Sequence, residues 1–188
     1  MLLGTSKATD LQVQSDMDLP PHLLRPQVHL SRARGYFELE MFDDAKKELR
    51  ALPDQMPWSK HGLELLVAIH QAQKSWEEMM MIANQLRSDF PEEAQWWIMS
   101  AYATRRHISV SEAESILKEG MLMHTREPMI KYNLACYACL LQRFDDCMKL
   151  LKESVALDEK YKLLALEDED LTEIREKLLE LGWGKIVV

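Results

Sequence analysis

Tyr132-Asn-Leu-Ala135, followed by Phe144-Asp-Asp-Cys147-Met148, is the stretch that decides the fold, because its landmarks recur upstream at one constant step. Ala135 is echoed by Ala101, Val67 and Ala33, and Phe144 by Val110, Trp76 and Phe42, each 34 residues apart. Pro57 and Pro91 keep the same step. A period of this length marks a stack of helix-turn-helix units, each too small to bury its own apolar face, so that neighbours bury it together.

Working outward, four units run without insertion as 26–59, 60–93, 94–127 and 128–161. Residues 1–25, with their Pro20-Pro21 pair and no helical periodicity, read as a flexible N-terminal arm whose Leu19, Leu23 and Leu24 could dock elsewhere. Residues 162–188 read as a capping helix of about 171–181 with a tail, Asp170 as its N-cap and Gly182 as its stop. Leu171, Ile174, Leu178 and Leu181 would cover the open end of the core.

Each position in a unit has a physical task. The eighth (Ala33, Val67, Ala101, Ala135) and twentieth (Ala45, Met79, Ala113, Cys147) are mostly small, so paired helices can approach closely. The seventeenth (Phe42, Trp76, Val110, Phe144) is large and plugs the turn. Ser75 with Glu78, and Ser111 with Glu114, have the spacing of capping boxes. Asp43 and Asp145 suit the positive start of a helix dipole. Pro53 should shorten the second helix of the first unit, and Gly120 and Ser154 should weaken two later packing positions.

These positions resemble the tetratricopeptide repeat family, with Phe42-Asp-Asp-Ala45 and the 132–148 stretch carrying the closest match. The resemblance covers 26–161 and implies an all-α, right-handed superhelical solenoid of four repeats with a C-terminal capping helix. It also implies a concave groove, lined by the first helices, that takes a partner's peptide or amphipathic helix. Arg32 departs from the usual apolar seventh position. The places matching the family's chaperone-binding clamp hold Leu30, Arg34, Leu65, Gln95 and Met99, so a chaperone-adaptor clamp is not expected. RNA-reading pentatricopeptide repeats run at about 35 residues, which would break the register.

Composition agrees with this class. Only 6 Gly and 7 Pro occur in 188 residues, 47% of them hydrophobic, which favours helices over a turn-rich β fold. A net charge of -8 with scattered Lys and Arg lacks the footprint of a nucleic-acid binder. No apolar run is long enough to span a membrane. Three cysteines, confined to positions 136–147, point to a reducing cytoplasm rather than a disulfide framework.

Groove positions nominate Arg34, Glu64, Ile98, Met99, Tyr102, Arg105, Arg106, Met129, Tyr132 and Asn133 as partner-binding residues. Met99, Tyr102, Tyr132 and Asn133 would anchor an apolar segment, and Arg105 and Arg106 would meet an acidic group. The competing reading is that these side chains pack between adjacent helices. Consecutive Met79, Met80 and Met81 point around a helix and read as core filling. Cys136 and Cys139 form a CxxC without further ligands, the string Glu167 to Asp170 lacks the glycine of a calcium loop, and no HExxH, GxSxG or phosphate loop occurs. No catalyst, metal or cofactor is expected. The partner is a protein or peptide, with self-assembly into a homodimer or scaffold as the alternative.

Overall fold

The computed structural model describes residues 25–184. The arm read over 1–25 therefore lies, up to residue 24, outside the described residues, as does the tail beyond 184. Within them the chain is helical with no strand, and no helix is long and apolar enough to cross a membrane. Contacts gather into two compact units, divided along the chain between Lys74 and Ser75.

The first unit holds α1 (Pro26–Glu38), α2 (Phe42–Leu49) and α3 (Trp58–Ala72). Fully buried Ala33 and Ala45 let α1 and α2 close on each other, and Leu30, Leu49 and Ile69 complete the core. Pro53 acts as expected: α2 has 8 residues, whereas the second helices of the other three repeats have 14 each. Arg32 avoids the core by pairing with Glu48 at 3.5 Å, and the same carboxylate holds the buried His29 ring at 2.6 Å. Gly62 is buried, and an added Cβ there would stand 3.1 Å from Leu52.

The second unit runs α4 (Trp76–Asp89), α5 (Ala94–His107), α6 (Val110–Met123), α7 (Pro128–Leu140) and α8 (Phe144–Leu157). It ends in α9 (Tyr161–Glu167), a 3-10 turn (Glu169–Ile174) and α10 (Arg175–Glu180). Ala101, Ala113, Ala135 and Cys147 are fully buried at the close-approach positions, and Met79 fills its place without exposure.

Four local expectations change. Ser75 precedes α4 but makes no side-chain cap, and Ser111 lies inside α6, which is capped instead by Ser109 accepting from the Glu112 N–H at 3.1 Å. Gly120 and Ser154 strengthen their positions. A Cβ on Gly120 would meet the Trp97 ring at 3.0 Å, and the buried Ser154 hydroxyl donates to the Pro128 carbonyl at 2.9 Å.

The single capping helix over 171–181 is replaced by α9, the 3-10 turn and α10, because Asp168 rather than Asp170 caps, accepting from the Asp170 N–H at 2.9 Å. Leu171, Ile174 and Leu178 reach the core as read, but Leu181 is exposed and Trp183 takes its place. Gly182 stops α10 with φ 78, and the Trp183 N–H closes back on the Leu178 carbonyl at 3.2 Å.

Candidate functional site

Of the residues nominated from groove positions, Arg105 and Tyr132 fall in one cluster of the second unit and Ile98, Met99, Tyr102 and Arg106 in another, and the first cluster is already occupied. The C-terminal turn lays Asp168 and Asp170 against α5 and α7. Tyr132, buried on α7, donates its hydroxyl to Asp168 Oδ2 at 2.8 Å, and Cys136 Sγ approaches the same oxygen at 3.7 Å. Arg105 donates through both terminal nitrogens to the two Asp170 oxygens, at 2.5 and 2.6 Å, while lying over the Tyr137 ring at 5.6 Å. The Tyr132 and Tyr161 rings pack at 4.9 Å, and Arg175 donates to the Asp168 carbonyl at 3.1 Å.

The electrostatics of this cluster follow from burial and pairing. Burial pulls the Arg105 pKa down, but the bond and charge of Asp170 outweigh it and leave it raised. Burial pushes the Tyr132 hydroxyl and the Cys136 thiol well above their ordinary ranges, and the Asp168 charge adds to both. Cys136, Asp168 and Asp170 present ligand atoms within 4.8 Å of one another. Their lone pairs, however, face the Tyr132 and Cys136 protons and the Arg105 cation, so the arrangement is a closed hydrogen-bonded cluster. Cys139 pairs instead with Cys147, whose thiol burial pushes up to about 12.

Tyr132 and Arg105 thus make internal contacts, as in the competing reading that these side chains pack within the fold. Two groove donors needed acceptors, and the acidic string 167–170, weighed above only as a calcium loop, supplies them.

The second cluster is open. Trp76, at the start of α4, meets Tyr102 of α5 edge-on, with ring centroids 5.7 Å apart and planes at 79°. The exposed Arg106 guanidinium lies 5.0 Å from the Tyr102 ring and 5.7 Å from the Trp76 ring. Ile98 and Met99, one turn before Tyr102 on the same stripe, are half-buried. Met129 is exposed, and Asn133 spends its Nδ2 on the Met129 carbonyl at 2.8 Å, so neither belongs to the aromatic cluster.

In the first unit Arg34 is exposed, and Glu64 is engaged by His61 at 3.1 Å and Lys60 at 3.9 Å. Sequence reasoning left Trp76 out of the groove because its position served the turn. Aromatic size at a plug position carries no sign of which cation will stack on it.

On the far side of α7, a cleft of about 520 Å³ runs between α6 and α8 over Met121, Leu122, Leu134 and Leu150. Its rim is closed by internal ion pairs, Lys131 with Glu153 at 2.7 Å and Arg143 with Glu114.

No family model matches the chain. It is 23% identical over 158 residues to the lipopolysaccharide assembly protein B of Haemophilus influenzae, covering 80% of this chain and 40% of that protein. The chain therefore spans well under half the length of this relative. The crystal structure of a thermophilic TPR protein from Thermus thermophilus superposes with a TM-score of 0.61 at 17% identity, over 85% of this chain and 86% of that one. The helical hairpins, the 34-residue step and this superposition make the fold that of a tetratricopeptide-repeat protein.

Proposed function

We propose that the chain is a protein-interaction module that holds a peptide or amphipathic helix of a partner on the α4–α5 face, as an adaptor or client chaperone. The observation that carries this reading is the Trp76–Tyr102 pair with Arg106 stacked on it, a half-buried aromatic platform of the type enriched at binding hot spots. Ile98 and Met99 extend it with apolar surface. Repeat folds of this class serve as binding scaffolds, and no catalytic constellation accompanies the platform among the described residues. Three free, buried cysteines fit a reducing cytoplasm. The likeness to part of a protein named for lipopolysaccharide assembly fits an adaptor working inside a larger assembly.

The test is a pull-down from a lysate of the source cells with the wild type beside Tyr102→Ala. Partners lost with the ring support the reading, and an unchanged set overturns it. Arg105 is unsuited to this test, because reversing it would leave Asp170 unpaired inside the unit.

Self-assembly is the second reading, favoured by a specific observation at the other end of the unit. Leu163 and Leu164 on α9, Leu179 on α10 and Leu181 just after it are 44–57% exposed, so the terminal cap leaves an apolar face. Light scattering across a concentration series separates the two: growth in mass that Leu163→Lys abolishes supports assembly.

A further inference from the structure

Arg105 and Arg106 are adjacent in the last turn of α5, and the fold treats them differently. Arg105 has both its terminal nitrogens on Asp170. Arg106, about 100° further round the helix, is exposed, with its guanidinium carbon 5.0 Å from the Tyr102 ring centroid and 5.7 Å from that of Trp76. No carboxylate pairs with it among the described residues, although the chain carries 31 acidic residues against 23 basic ones. Contact with aromatic rings leaves N–H donors of a guanidinium for a partner and restricts the side chain beforehand, which lowers the entropy lost when a planar acceptor arrives. The complementary group is a carboxylate, bound through two parallel hydrogen bonds as Arg105 binds Asp170.

The stripe sets the spacing. Met99 and Arg106 are seven residues apart on α5, a rise of about 10 Å. A peptide in polyproline-II conformation, with about three residues per turn at about 3.1 Å each, covers that rise in about three residues with both side chains on one face.

Resting on the platform reading above, we infer that Arg106 is the anchor for an Asp or Glu side chain of the partner peptide, which carries that acid about three residues from an apolar side chain seated on Met99 and Tyr102. The C-terminal turn already holds Arg105, so the partner's acid meets Arg106 alone.

The test is panning a phage-displayed library of random dodecapeptides on the wild type, Tyr102→Ala and Arg106→Glu, with Arg106→Gln replacing the reversal if circular dichroism shows it misfolded. The wild type should enrich an acid at that spacing. A selected acidic peptide, made synthetically, should bind Arg106→Glu or Arg106→Gln at least about tenfold more weakly, and panning on Arg106→Glu should enrich Lys or Arg instead. Apolar peptides without an acid, selected equally by wild type and Arg106 variants, would overturn the anchor while leaving the platform standing. The same peptides selected by Tyr102→Ala, or none selected at all, would overturn both.

Discussion

Gly120 lies under the ring of Trp97, and that ring is held from three sides. Its Nε1 donates to the Pro91 carbonyl at 2.9 Å, Arg87 lies over it at 5.0 Å, and His124 meets it edge-on. Gly120→Ala would gain about 1 kcal/mol of helix propensity, but its Cβ would strike a ring that has no room to retreat. The substitution should therefore destabilise by about 1–2 kcal/mol net, read as a lower urea midpoint at unchanged slope. A rise in the midpoint would show that the ring yields. The sequence reading took this glycine as a weak spot because the tryptophan that needs it stands 23 residues away in another helix.

Glu114 carries the second prediction at this scale. Burial pushes its carboxyl up, but bonds from Arg143 and Lys118 more than reverse that and hold it below its ordinary 4.5. The folded state therefore favours the ionised form. The stability this contributes is present at neutral pH and is lost as pH falls below 4.5 and through the lowered folded value. Glu114→Gln should be less stable than wild type at neutral pH, with the gap narrowing towards pH 3. Melting temperatures across that range decide it, and a gap that widens in acid contradicts the pairing.

At the scale of elements, the hairpin turns show how far a period reaches. Glu40, Lys74 and Gln142 stand at the same place in the first, second and fourth repeats, and all three adopt left-handed backbone with φ of 56–60°. At Glu40 and Gln142 the following N–H closes back on a carbonyl five residues earlier, at 2.8 Å. The third repeat turns differently through Ile108. None of these positions is glycine, so nothing in the residue types announced the conformation. Gln142→Gly should relieve the steric cost of a side chain there and stabilise by up to about 1 kcal/mol. Thermal melting that falls instead would mean the Gln142 side chain matters more than its backbone. Helix starts were less legible than helix faces: Ser75 and Ser111 have capping-box spacing, yet the cap that forms uses Ser109. Spacing alone does not fix which serine lies just outside the helix.

At the scale of the whole molecule, the small residues of the 34-residue step announced the helical hairpins, because close approach demands them wherever two helices cross. The C-terminal closure was not legible in the same way. Asp168 and Asp170 are separated from Tyr132 and Arg105 by 36 and 65 residues, and an acidic string looks solvated until a partner is known. That closure divides the nominated residues into structural ones, Arg105 and Tyr132, and open ones, Tyr102 and Arg106.

The division is the central claim, and one comparison tests it: Tyr102→Ala with Arg106→Glu set beside Asp170→Asn, each assayed for melting temperature and for retention of the partners captured by wild type. The double variant should lose partners and melt close to wild type. Asp170→Asn should keep them and melt lower, reflecting a loss of about 1.5–3 kcal/mol from a largely buried, charge-assisted pair. If Asp170→Asn releases the partners while the double variant retains them, the binding face lies at the C-terminal turn and the account is wrong.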